Sequence, residues 1–180
     1  MDDLEEIIES PLDDGDIRYY LPSAKVMTYS ELKKHNSIET LLSKKPDYAF
    51  LLYQSSPSNG HWTVITRDRN NNINYFDSYG NKIDHPLRWT GLDTRKKLGE
   101  EAPMLSMLMN KTQLPVYYNN VDYQGDGSDI NTCGRHCVFY VLNMLKNNMT
   151  LAQYYEYMKK MSKKYKLNYD EIVSEFITKI

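Results

Sequence analysis

Cysteine is scarce in this chain, long apolar runs are absent, and neither sign of charge dominates. Its two cysteines, Cys133 and Cys137, stand four apart, so no disulfide framework is predicted. A free thiol suits a reducing compartment. No run of 18 apolar residues and no signal peptide occur, which excludes a transmembrane helix and predicts a soluble protein without membrane contact. The net charge of −2 gives no global reason to bind nucleic acid. Phe and Trp are few, at 4 and 2, against 16 Tyr, a compositional bias rather than a binding signal. Internal repeats and any sign of a second unit are missing. The 180 residues are read as a single domain over 1–180, long enough for a real core.

What is there begins with acid. Residues 1–16 hold Asp2, Asp3, Glu5, Glu6, Glu9, Asp13, Asp14 and Asp16, with Leu4, Ile7, Ile8 and Leu12 at near-helical spacing. Residues 1–18 are read as a flexible, solvated arm, or else as an amphipathic arm docking on the basic C-terminal region or on a partner. Pro11 ends any helix there. Residues 19–29 are read as irregular. Thr28 or Ser30 caps a helix over 31–42 with a break near Asn36-Ser37. Tyr48–Gln54 is almost wholly apolar and reads as an interior strand. His61–Arg67 alternates as the next strand, Asp68–Asn72 is its turn, and Ile73–Ser78 its partner. Residues 79–91 are loop-like, 92–110 helical with an interruption at Pro103, and 114–119 a short edge strand. Thr150 caps a helix over 151–164, and a last helix runs from Asn168 or Tyr169 to Ile177.

The chemistry concentrates in Tyr123–Leu145. Val138, Phe139, Val141, Leu142 and Leu145 recur at the spacing of a buried helix, preceded by a loop of Gly125, Asp126, Gly127, Ser128 and Asp129. Asn131 or Thr132 caps the helix and puts Cys133 in its first turn, where the dipole and unsatisfied N–H groups favour a thiolate. Gly134 lets backbone near the sulfur be approached closely. A thiolate needs a base and the base an orienting group. His61 opens one strand of the hairpin and Asp77 closes the other. Pairing the two puts the midpoint at residue 69, inside the turn, so both lie at one end of the sheet. Among the other histidines, His35 sits in a polar helix, His85 before Pro86, and His136 beside the cysteines. Asp84 is the alternative carboxylate but lies outside the hairpin. Gln124, nine residues before Cys133, offers an amide donor, with Asn131 as a substitute. Cys137 reads as core. Cys133, His136 and Cys137 lack a second ligand pair, so no metal site is predicted.

Gly60-His61-Trp62, Phe76-Asp77-Ser78-Tyr79-Gly80, Tyr123-Gln124 and Thr132-Cys133-Gly134-Arg135, in that order, resemble the adenovirus-protease and SUMO-protease clan of cysteine peptidases. Within it, the chain is most similar to capsid-maturation proteases of virophages, Polinton-like elements and large DNA viruses. The likeness spans roughly residues 25–146. It implies an α+β fold: a small mixed, mainly antiparallel sheet against a central helix carrying the nucleophile at its N-terminus, with further helices at both ends. It implies a Cys133-His61-Asp77 triad, an oxyanion hole from Gln124 and the Cys133 N–H, and a narrow glycine-accepting cleft involving Trp62 and Gly134.

By the same resemblance, the task is cleavage of capsid precursors at glycine-containing sites, in a host cytoplasmic factory and in the virion, by a monomer without a cofactor. A DNA or peptide activator is left open. DNA is a partner to weigh because adenovirus relatives are activated by it and because Lys159, Lys160, Lys163, Lys164 and Lys166 cluster near the C-terminus. The alternatives are an isopeptidase removing ubiquitin-like modifiers, an acetyltransferase with the same triad, and an idle structural protein of the particle.

Overall fold

The computed structural model describes residues 4–179. Asp2 and Asp3 of the acidic stretch lie outside the described residues. The rest of that stretch is helical: α1 spans Leu4–Glu9 and α2 spans Asp14–Tyr20. The irregular reading of 19–29 is also corrected, because α2 runs to Tyr20 and a strand, β1, covers Lys25–Thr28. The missed signal is local. Asp13 accepts from the Asp16 N–H and Asp16 from the Asp13 N–H, a capping box built of two acids that starts a helix. Ile17 and Leu21 then sink into the core. Pro11 separates the two helices, as the sequence suggests.

Past β1, a 3-10 turn covers Tyr29–Lys34 and a short α3 covers Ile38–Leu41, capped by Ser37, so the expected helix is indeed broken there. Next come β2 (Asp47–Gln54), β3 (Gly60–Arg67) and β4 (Ile73–Phe76), then a 3-10 turn over His85–Trp89. Helices α4 (Leu92–Leu98) and α5 (Met104–Met109) are separated at Gly99, which takes φ +75, a few residues before Pro103. Strand β5 is Val116–Tyr118. Helices α6 (Cys133–Asn147), α7 (Leu151–Tyr165) and α8 (Tyr169–Phe176) finish the chain, the last two opened by capping boxes at Thr150 and Asn168.

Among the described residues the strands form one five-stranded sheet in sequence order. The β2–β3 and β3–β4 pairs are antiparallel, the first carrying the longest ladder, while β1 and β5 add parallel edges. Both faces are covered, so the sheet reads apolar rather than alternating. Phe50, Trp62, Val64 and Phe76 face α6, α7 and α8; Ala49, Leu51, Ile65 and Tyr75 face the Tyr29–Lys34 turn, α3 and α5. Every residue of α6 from Cys133 to Val141 is buried, as befits a helix with core on all sides. Phe76 stacks on Tyr140 with centroids 4.5 Å apart, which locks α6 onto the middle of the sheet. Among the described residues no helix is long and apolar enough to cross a membrane.

The acidic stretch docks, and its backbone supplies much of the hold. α1 lies against α8, and the backbone between α1 and α2 is held by the start of α6. Asn131 donates from its backbone to Ile8 O and from its side chain to Glu9 O. Arg135 donates to Ser10 O, and the Trp62 indole to Leu12 O at 3.0 Å. Arg135 is fully buried and also donates to Ile177 O, so one guanidinium ties both ends of the chain to the central helix.

The hairpin register differs from the expected one. Val64 pairs with Phe76 and Arg67 with Ile73, which centres the turn on residue 70 and would set His61 opposite Tyr79, not Asp77. The turn is responsible: Asp68 N donates to Asn72 O, and Asn71 takes φ 68. The ladder stops at Phe76, and Asp77 reaches His61 from just beyond the strand. Gly80 closes the following turn at φ +68, with its N–H donating to Asp77 O; a Cβ there would lie 2.7 Å from the Val121 backbone. That position therefore requires glycine.

Candidate active site

Cys133 is the first residue of α6, so its N–H lacks an intrahelical partner and faces the positive end of the helix. Thr132 is the N-cap, but its hydroxyl does not cap; it donates to Asp170 on α8. Burial alone would push the Cys133 thiol up. Hydrogen bonding and charge from His61, with the backbone N–H groups of Trp62 and Gly134, outweigh that and hold it below the ordinary value of 9.0.

His61 is buried and gives Nε2 to Asp77 Oδ1 at 2.9 Å, which leaves Nδ1 for the Cys133 sulfur. Burial disfavours the imidazolium, but Asp77 and Cys133, by hydrogen bond and charge, reverse this and push the histidine up to about 10. Both shifts favour a thiolate–imidazolium pair over the neutral thiol and imidazole. Iodoacetamide should alkylate Cys133 rapidly well below pH 9, with the rate falling only near its depressed pKa. His61→Ala should slow the reaction at pH 6 by about tenfold or more, since each pKa unit regained is a factor of ten. Cys137 should stay silent: it is fully buried, bonded to Trp62 O, and pushed up by burial.

Asp77 is fully buried. Its Oδ1 also accepts from Tyr79 N, and its backbone is clamped on both sides by Asn119, which accepts from Asp77 N at 2.9 Å and donates to Asp77 O at 2.8 Å. Nothing in the sequence singled out Asn119. Gln124 is oriented by Ser78, whose hydroxyl donates to Oε1 at 2.7 Å, while Nε2 donates to Ile130 O at 3.1 Å. The second amide hydrogen has no partner among the described residues and, with the Cys133 N–H, can meet an oxyanion. Tyr123 N and Gln124 N both donate to Ser78 O, so the residue after Asp77 carries the oxyanion loop. Asn131, the substitute donor, is spent on Glu9 O.

Trp62 lines a groove that opens on Cys133, with its ring buried toward α6 and its indole on Leu12 O, and does not itself cover His61. The His61 imidazole is covered instead by Tyr79, stacked at 5.2 Å, and by Trp89 at its edge, also at 5.2 Å. Gly134 is not a gap for substrate: a Cβ there would lie 3.1 Å from Leu12 Cβ and 3.3 Å from the Trp62 ring, so the glycine admits the chain between α1 and α2. The alternative carboxylate, Asp84, is buried elsewhere, accepting from Tyr29, Tyr53 and Ser106 N. His136 pairs with Asp170 at 3.0 Å, which removes it from any set with the two cysteines.

Protein V9 of the Sputnik virophage is 31% identical over 151 residues, covering 84% of this chain and 84% of its own. No family model matches the chain. Among solved structures, an ASFV protease aligns with a TM-score of 0.46 at 15% identity over 82% of this chain; the chain spans 62% of that protease. A central domain of a Legionella pneumophila protein gives 0.42 at 18% identity over 80% of this chain and 81% of its own. A de-sumoylating protease gives 0.42 at 15% identity over 96% and 74%.

Proposed function

The chain belongs to the family of the Sputnik virophage protein V9, and from that premise and the assembled site we propose that it is a cysteine endopeptidase with a Cys133-His61-Asp77 triad. The carrying observation is the buried relay in which Asp77 Oδ1 holds His61 Nε2 at 2.9 Å while the Cys133 sulfur meets the same ring at the N-terminus of α6. The thiolate attacks a peptide carbonyl, and the oxyanion is met by the Cys133 N–H and the Gln124 amide. The His61 imidazolium protonates the departing amine, leaving a thioester. His61 then takes a proton from water, which cleaves the thioester and restores the thiolate. In this reading the substrates are capsid precursors of a virus-like element, cleaved at glycine-containing sites. Kinship with a virophage protein and the order of the four site residues support it.

The test is hydrolysis of quenched fluorescent peptides containing Gly-Gly and Gly-X bonds by wild type and Cys133→Ala, with and without DNA. Cleavage present in the wild type and lost in the variant is expected. Absence of cleavage in both, with no alkylation of Cys133 at neutral pH, would overturn the reading. Cleavage of a ubiquitin-like fusion but not of capsid precursors would move the assignment to an isopeptidase.

A further inference from the structure

Tyr79 and Trp89, the two rings on His61, also line a cavity of about 460 Å³ together with Asn81, His85, Asp122 and Asp126. Its walls are aromatic. Tyr79 stacks on His61, Trp89 meets Tyr79 edge-on at 5.8 Å, and His85 meets Trp89 at 6.0 Å. Trp89 remains half exposed, which is unusual for a ring so close to a buried catalytic pair. Asp122 and Asp126 are exposed, and among the described residues neither has a hydrogen bond or an ion pair. No Lys or Arg lines the cavity.

We infer that this cavity is a specificity pocket for a lysine or arginine side chain on the leaving-group side of the cleaved bond. The inference rests on the endopeptidase reading. His61 hands its proton to the departing amine, so whatever fills a cavity bounded by Tyr79 and Trp89, the two rings on His61, belongs to the part of the substrate that leaves with that amine. Aromatic faces with two unpaired carboxylates are complementary to one cation on an apolar stem. The local field agrees. Partial burial and then the charges of Asp126, Asp170 and Asp77 raise the Asp122 carboxyl above its ordinary value of 3.8, against an opposing pull from His136. An acidic residue in the same place would meet like charge, so the pocket discriminates in both directions.

The test uses peptides with one Gly-Gly acyl segment followed by a Lys-Arg, Ala-Ala or Glu-Glu leaving segment, and a control with Lys-Arg moved to the acyl side. The expected order of kcat/KM is basic above neutral above acidic, by about 5–10-fold per step. In Asp122→Asn/Asp126→Asn the order should collapse while cleavage of the Ala-Ala peptide is unchanged. Trp89→Ala, made in the Cys133→Ala background, should weaken binding of the Lys-Arg peptide more than that of the Ala-Ala peptide. The same peptides titrated against Cys133→Ala report binding, so the pocket is judged whether or not turnover occurs. Tighter binding of the basic leaving segment, lost in the added double substitution, supports the pocket even if no peptide is cleaved and the endopeptidase reading fails. Equal binding of the three, an order that survives the double substitution, or an equal effect of Lys-Arg on the acyl side overturns it.

Discussion

Asp77→Ala is expected to lower kcat/KM by about 10³–10⁴-fold, the scale on which orienting carboxylates of such triads act. Asp77 supplies two separable things: a lone pair that fixes the His61 ring and a negative charge that favours the imidazolium. Alanine removes both. Asparagine removes only the charge, because its Oδ1 can still accept from His61 Nε2 and Tyr79 N while its amide takes the place of Oδ2, which has no partner. Asp77→Asn should therefore lose about 10–10²-fold. The pH profiles separate the two effects. With the charge gone, His61 falls from about 10, and Cys133 rises toward 9.0 because its imidazolium partner weakens. The acid limb of activity, set by Cys133, moves up in pH; the alkaline limb, set by His61, moves down. The bell narrows from both sides. An alanine variant that keeps more than about a tenth of wild-type kcat/KM would remove Asp77 from the mechanism.

The four site residues were legible because each carries its signal in its neighbours. His61 begins a strand, Asp77 ends the partner, and Cys133 follows a helix cap, so hairpin and helix punctuation brings them together even with the register two residues out. That error was tolerated because Asp77 lies beyond the ladder and reaches sideways. What supports these groups was not legible. Asn119, Ser78 and Asp170 hold them through hydrogen bonds between segments far apart in sequence, and one polar residue has no periodicity to read. Docking of the N-terminal stretch was only one of two readings the sequence allowed, for a different reason. Eight acids in sixteen residues suggest solvation, but much of what holds the stretch is carbonyl oxygens captured by Asn131, Arg135 and Trp62, and backbone acceptors leave no mark in a sequence. The covering of His61 by Tyr79 and Trp89 likewise follows from the shifted register and a loop, not from the His-Trp pair that drew attention.

Asp170→Ala is expected to lower stability by roughly 3–5 kcal/mol, the cost of stranding buried donors by deleting one charged partner. Asp170 sits in the first turn of α8 and is buried. Its Oδ1 accepts from Thr132 Oγ1 and His136 Nε2, and its Oδ2 from Gly125 N at 2.8 Å. Those donors are the residue before Cys133, a fully buried residue of α6, and the residue after Gln124. One carboxylate thus joins α8 to both halves of the proposed oxyanion hole. Burial alone would raise this carboxyl, but His136, Thr132 and Gly125 hold it below its ordinary 3.8. A folded-state pKa below the unfolded one means the contribution is fully present above about pH 4 and is lost as pH falls through the depressed value. Wild type and Asp170→Ala should therefore differ by the full amount at pH 7 and converge as the carboxyl protonates in acid, measured as urea midpoints at a common slope. In Asp170→Asn, Oδ1 can keep Thr132 and His136 while the amide nitrogen confronts the Gly125 N–H, so its loss should be smaller and centred on the Gln124 loop. Turnover should then drop further than Cys133 alkylation does, because the thiolate depends on His61 whereas the oxyanion donor depends on where Gly125 is held. Equal losses in turnover and alkylation would mean that Asp170 supports the fold as a whole and not the oxyanion loop.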